Sequence, residues 1–174
     1  AWLAAAPEGR FFLWVHYFDA HYPYVPPAPY ATMFSTDEKL EATIAARRIP
    51  ETTYRTLVDV TEKTRPMINL YDGELRYQDT ELGRLLTALE TRPDWENTVV
   101  LIAGDHGEGL GQHGEAAHGG TWEEQLHAPL LMRIPGEPPR RVAPLVTMID
   151  VIPTLLGRLP RLPLAELLPQ ASGR

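Results

Sequence analysis

The sequence predicts an α/β domain built on a mostly parallel sheet flanked by helices, and three observations carry that expectation. "FFLWVHY" (Phe11–Tyr17) and "VVLIAG" (Val99–Gly104) are continuous apolar runs of strand length, the pattern of strands covered on both faces. Between them lies a long segment whose apolar residues recur at helical spacing. After them the alternation continues as short helix, strand and helix, which is the order a parallel sheet with crossover helices requires.

Taken in order, the first strand places His16 inside a covered run, where a buried, hydrogen-bonded imidazole is expected. It leads into "FDAHYPYVPPAPY", where Pro23, Pro26, Pro27 and Pro29 exclude regular structure and make a rigid, extended loop. Residues 35–64 mix charge with weak helical spacing and are split by Pro50, which reads as two short helices or an insertion. A long helix starts near Pro66, suited to a first turn, and ends before Pro93. Its predicted apolar face is Ile68, Tyr71, Leu75, Leu82, Leu85, Leu86 and Leu89, while Asp72, Glu74 and Asp79 read as its solvated side. "VVLIAG" follows Asn97-Thr98, "TWEEQL" is a short helix, and "APLLMRIPG" is a third strand closed by Pro135-Gly136. A last helix, Val146 to Leu159, is bent by Pro153.

At 174 residues the chain can bury roughly 70% of its unfolded surface, and 44% hydrophobic with 22% charged residues is ordinary globular composition. A net charge of −7, with adjacent basic pairs only at Arg47-Arg48 and Arg140-Arg141, argues against a nucleic-acid partner. An anionic substrate would therefore need a metal or a local set of donors to reverse the sign of the pocket. The absence of cysteine excludes disulfides and thiolate sites, and no apolar run approaches the ~20 residues of a membrane span. "AWLAAAPEGRFF" reads as the end of a helix entered midway, so a longer parent protein is expected.

Polar residues gather just past the predicted strand ends, where ligands of such sheets bind. Asp105 and His106, between Gly104 and Gly107, can converge on one ion, or the aspartate caps the turn and the histidine is exposed. His21, on the proline-stiffened loop, is either a proton donor held in place or a surface imidazole. His113 and His118 flank Glu115 in a glycine-rich loop that supplies a further imidazole or forms a solvated lid, and His127 packs or caps. "GEGLGQHG" lacks the spacing of a nucleotide fingerprint or a P-loop, and "GDHGEG" contains no serine elbow.

Five blocks, "FFLWVHYFDAHYPYVPPAPY", "YDGELRYQDTELGRLLTAL", "NTVVLIAGDHGEGLGQHGE", "HGGTWEEQLHAPLLMRIPG" and "TMIDVIPTLL", stand in the order and character found in sulfatases of the alkaline phosphatase superfamily. The resemblance covers nearly the whole chain and implies an alkaline-phosphatase-like sandwich with a mixed sheet, here incomplete. It implies that Asp105 and His106 are metal ligands and that His21 contacts the sulfate or protonates the leaving oxygen. His118 stands where many relatives have lysine and is the other candidate catalytic residue. The implied cofactor is one divalent ion, Ca²⁺ by resemblance, while the imidazole of His106 shifts the preference toward Mn²⁺ or Zn²⁺. The family's "C/S-x-P-x-R" block, source of its formylglycine nucleophile, does not occur in this chain.

Residues 1–174 are thus expected to be the C-terminal part of one catalytic domain, inactive alone and hydrolysing small-molecule or glycan sulfate esters when full-length. The alternatives are a phosphomonoester, phosphodiester or phosphonate hydrolase of the same superfamily, and a non-catalytic binding module. A periplasmic or extracellular location is compatible with the resemblance, and neither it nor the oligomeric state is read from the residues.

Overall fold

A long helix organises the first part of the chain. In the computed structural model the described residues are Leu3, 9–34, 65–114 and 116–158, so the elements expected over 35–64 lie outside them. They fall into two units, Ala1–Met132 and Arg133–Arg174.

Helix α1 spans Arg65–Glu90. Pro66 sits in its first turn, where its missing N–H leaves no intrahelical bond unmade. The buried residues of its first half are Pro66, Met67, Leu70, Gly73 and Glu74, at steps of three and four, while Leu75 is exposed; near its end the predicted Leu89 is buried. This corrects the predicted face in the first half, and the reason is visible at Gly73. A Cβ there would lie 2.6 Å from the Tyr30 carbonyl oxygen and 3.0 Å from Pro26 Cγ, so the proline loop docks where the helix has no side chain. Glu74 follows onto the same covered side at 3% exposure and accepts a 2.6 Å hydrogen bond from the Val25 N–H. Far from being solvated, it ties the loop to the helix.

The core of this unit is Tyr24, Met67, Leu70 and Ala117, with Tyr22 and Tyr71 packed against it. Tyr24 meets Tyr71 edge-on at 5.4 Å and Tyr22 at 6.0 Å, geometries that aromatic quadrupoles favour. Three segments distant in sequence are joined by this one cluster.

The described strands are β1 (Val100–Ala103), β2 (Gly109–Leu110), β3 (Ala116–Ala117) and β4 (Leu130–Arg133). β1 pairs with β4, and the Gly104 N–H donates to the Pro129 carbonyl at 2.9 Å, setting the end of β1 beside the entrance to β4. β2 and β3 form an antiparallel pair with Gly109 opposite Ala117 and Leu110 opposite Ala116. The one ladder of known direction among the described residues is thus antiparallel. The expected strand Phe11–Tyr17 makes no ladder among the described residues, with Phe12 85% and Trp14 75% exposed. A strand covered on both faces needs pairing partners at its edges, and the described residues provide none. His16, expected to be buried, is accordingly exposed. Phe11 is held instead by Arg92, whose guanidinium lies 4.8 Å from the ring centroid and bonds Asp94 through two nitrogens at 2.9 Å.

In the second unit β4 gives way to the Pro135-Gly136 turn, closed by Glu137 N–H to Ile134 O at 3.1 Å. The short helix α2, Glu123–Leu126, belongs to the first unit. Helix α3 spans Val151–Arg158 among the described residues, starting later than predicted, after a 3₁₀ turn at Met148–Asp150. Thr147 N–H donates to the Asp150 carboxylate at 2.8 Å and begins that turn. Pro153 therefore occupies the first turn of α3 rather than bending a longer helix. No helix among the described residues is long and apolar enough to cross a membrane.

The glycines of α1 lead to a contrast in stability. Gly83 has nothing within 4 Å of the place a methyl group would take, so Gly83→Ala should stabilise by about 1 kcal/mol through helix propensity. Gly73→Ala should instead destabilise by roughly 1–3 kcal/mol because the methyl displaces Tyr30 and Pro26. Urea titration of both variants checks the contrast, and equal gains would mean the loop does not dock there.

Burial raises the Glu74 carboxyl from 4.5 to about 7, the nearby Asp19 charge adds to the rise, and the Val25 and His21 amides oppose it. The native state thus binds the proton more tightly than the unfolded chain. The associated stability is complete below about pH 4.5 and is lost as pH rises through about 7. Glu74→Gln should flatten the pH dependence of the urea midpoint across this window and be the more stable protein at about pH 8. An unchanged slope would show that Glu74 is not the group responsible.

Candidate functional site

His21 precedes Tyr22, and His118 follows Ala117; both neighbours belong to the aromatic core. The cluster that joins the proline loop, α1 and β3 therefore also brings these two imidazoles together, with ring centroids 6.0 Å apart. His106, past the end of β1, lies 4.0 Å from His118 at a 34° tilt. Three of the predicted site residues thus form one row of rings, with His118 in the middle.

A second set of contacts fixes the loop that carries them. Gly107 N–H donates to the Gln125 carbonyl at 2.8 Å, and Gly120 N–H donates to the Gln125 side-chain oxygen at 2.6 Å. Gln125 is buried on α2 and grips both ends of the loop. A Cβ on residue 107 would overlap the Glu124 carbonyl oxygen, so only glycine allows this approach. Midway along, His113 stacks on Trp122 with 4.0 Å between centroids and an interplanar angle of 2°, and its Nδ1 lies 2.9 Å from Glu124 Oε1. His113 is thus an anchor of the loop, and His127 pairs with Glu123 on the exposed side of α2 at 3.3 Å.

The backbone sets the tautomers of two site histidines. His21 Nδ1 is 2.6 Å from the Tyr22 carbonyl oxygen, and His106 Nδ1 is 2.7 Å from that of Gly107. A carbonyl only accepts, so both Nδ1 atoms carry hydrogen and both Nε2 atoms are left to face a ligand. Asp105 is 90% exposed; one of its oxygens accepts the His106 N–H at 3.0 Å and the other lies 3.8 Å from His106 Nε2. That separation suits two donors around one ion with bonds of roughly 2.0–2.6 Å. Among the described residues no group of three or more His, Asp or Glu is arranged to hold a metal, so Asp105 and His106 form an open two-donor pair.

Two buried carboxylates beside the row escaped the sequence reading. Glu108, its side chain only 7% exposed, accepts the Tyr24 hydroxyl at 3.2 Å through Oε2 and places Oε1 3.6 Å from His118 Nδ1. Burial pushes its carboxyl up, and His118, the Tyr24 bond and His106 pull it back. Its only sequence signal is its place two residues after His106 in "GDHGEG". Glu74 had a clearer one, since it lies four residues beyond Leu70 and seven beyond Met67 on the covered stripe. Burial, followed by the charges of Glu108, Asp72 and Glu74, raises the Tyr71 hydroxyl above its ordinary range.

Comparison with known proteins gives this geometry a family. The Sulfatase family profile matches residues 1–160. A protein described as a sulfatase from Formosa agariphila is 36% identical over 93 residues, covering 53% of this chain and 18% of that protein. Human iduronate 2-sulfatase is 30% identical over 113 residues, covering 50% and 20% respectively. A multifunctional alkaline phosphatase superfamily protein from Trinickia caryophylli is 27% identical over 182 aligned residues, covering 87% of this chain and 35% of its own length. The chain spans about a fifth of the first two relatives and about a third of the last. No solved structure matches it. The family's fold is the α/β architecture of the alkaline phosphatase superfamily, and its activity is the hydrolysis of sulfate esters. On a profile match that takes in every described residue of the histidine row, the chain belongs to the sulfatase family.

Proposed function

We propose that this chain contributes the metal-binding and leaving-group side of a metal-dependent sulfate ester hydrolase, acting on a small-molecule or glycan sulfate. The observation that supports this most is the row His21, His118, His106 beside Asp105, drawn from segments 84 to 97 residues apart in sequence. The isolated chain is inactive in this reading, because no "C/S-x-P-x-R" block is present to supply a formylglycine nucleophile.

Asp105 and His106 would hold the divalent ion, with the remaining donors supplied by other parts of the intact protein. When bound, the ion offsets negative charge on the sulfate and lowers the cost of bringing an anion to an acidic chain. Ca²⁺ is the ion the family suggests; the imidazole donor favours Mn²⁺ or Zn²⁺. His21, with Nδ1 held by the Tyr22 carbonyl, presents Nε2 on a stiff loop. Protonated there, it passes that hydrogen to the alcohol oxygen as the S–O bond breaks. His118 contacts the sulfate oxygens from the centre of the row.

A second reading, hydrolysis of phosphate mono- or diesters or of phosphonates, draws on the Asp-His pair and on the multifunctional superfamily relative. Tetrahedral anions of similar size fit the same donors. Matched aryl sulfates and aryl phosphates assayed on the intact protein separate the two. Sulfate should be preferred by at least about tenfold in kcat/KM; a phosphate preference overturns the first reading, and binding of sulfate without turnover of either ester would mark a non-catalytic module.

The metal assignment has its own check. Asp105→Ala combined with His106→Ala should remove stoichiometric metal from the intact protein, as measured by elemental analysis, and retention of the full complement would reject these two ligands.

A further inference from the structure

We infer that Glu108 is a positioning residue for His118: it engages Nδ1 of the imidazole and so determines which ring nitrogen, in which direction, the ester meets. The inference rests on the proposed role of His118 as a sulfate contact.

Glu108 Oε1 and His118 Nδ1 are both buried from solvent, neither makes a hydrogen bond elsewhere among the described residues, and they face each other at 3.6 Å. That distance is a few tenths of an ångström beyond an N–H···O bond, a gap that a small ring rotation closes when a ligand arrives. The carboxylate itself is fixed, because its Oε2 accepts the hydroxyl of Tyr24 at 3.2 Å and Tyr24 is a buried member of the core. A core tyrosine therefore orients the carboxylate, and the carboxylate orients the imidazole.

The chemistry of the histidine explains why an orienting group belongs here. A lysine ammonium presents three rotatable donors and meets an anion from many directions. An imidazole has two polar atoms in one plane, so its usefulness depends on which carries hydrogen and where the plane lies. A carboxylate opposite Nδ1 accepts hydrogen from that atom and fixes the ring plane, and Nε2, the single polar atom left to the ester, must carry hydrogen as well to donate to an oxygen that only accepts. Without it, the ring is free to rotate and to revert to the Nε2–H tautomer that free histidine prefers.

The first test is the ¹⁵N chemical shifts of the His118 ring in the intact protein. Wild type should show hydrogen on Nδ1, Glu108→Ala should revert to the Nε2–H form, and Glu108→Gln, whose amide oxygen still accepts, should keep the wild-type tautomer. A wild-type His118 with hydrogen on Nε2 alone overturns the inference even if Glu108→Ala fails to fold, as does a tautomer unchanged by Glu108→Ala. The second test is a kinetic cycle on an aryl sulfate. Glu108→Ala should raise KM about tenfold with kcat changed less than about threefold, and should add nothing to His118→Ala. Independent, multiplying effects would show that Glu108 does not act through His118. If His118→Ala alone is kinetically silent, the sulfate-contact reading fails, and the tautomer measurement still decides whether Glu108 controls the ring.

Discussion

The side chain of Tyr24 is amphipathic, and the molecule uses both of its ends. Its ring fills the core against Met67, Leu70 and Tyr71, while its hydroxyl reaches the Glu108 carboxylate at 3.2 Å. An aromatic ring burying most of its area contributes of order 2–3 kcal/mol, whereas one hydrogen bond to a charged acceptor contributes about 1.5–3. The two are comparable, so packing and site geometry cannot be adjusted independently. A change that shifts the core by a fraction of an ångström is transmitted to the histidine row through a side chain with only two rotatable bonds.

Charge imposes a second constraint. The chain carries −7 and two of its carboxylates, Glu74 and Glu108, are buried close to groups that should face an anion. Both are committed to local donors: Glu74 to the Val25 amide, Glu108 to Tyr24 and the imidazoles. One oxygen of each accepts in this way, and burial raises the proton affinity of both.

What the sequence revealed depended on whether the information was local. Helix α1, β1, the Pro135-Gly136 turn and the polar character of both loops were legible, because punctuation and periodicity act over a few residues. The face of α1 was not, since a glycine and a glutamate occupy its covered stripe and hydropathy assigns both to solvent. The strand reading of Phe11–Tyr17 used the right composition, and the described residues hold no partner edge for the ladder it needs. Within the site, His21, Asp105, His106 and His118 stood out as chemistry-bearing residues in loops. Their mutual distances came from the aromatic cluster, which no pattern along the chain discloses. Glu108 and Tyr24 stayed hidden because their importance lies in one contact spanning 84 positions.

The grip of Gln125 on Gly107 and Gly120 has a thermodynamic corollary. A segment pinned at both ends, and stapled near its middle by His113 on Trp122, surrenders its conformational freedom during folding. In the proposed reaction an arriving ester would meet groups already at rest. The entropy of ordering them is not subtracted from the encounter, so more of the contact energy is left to distinguish the reacting geometry from the resting one.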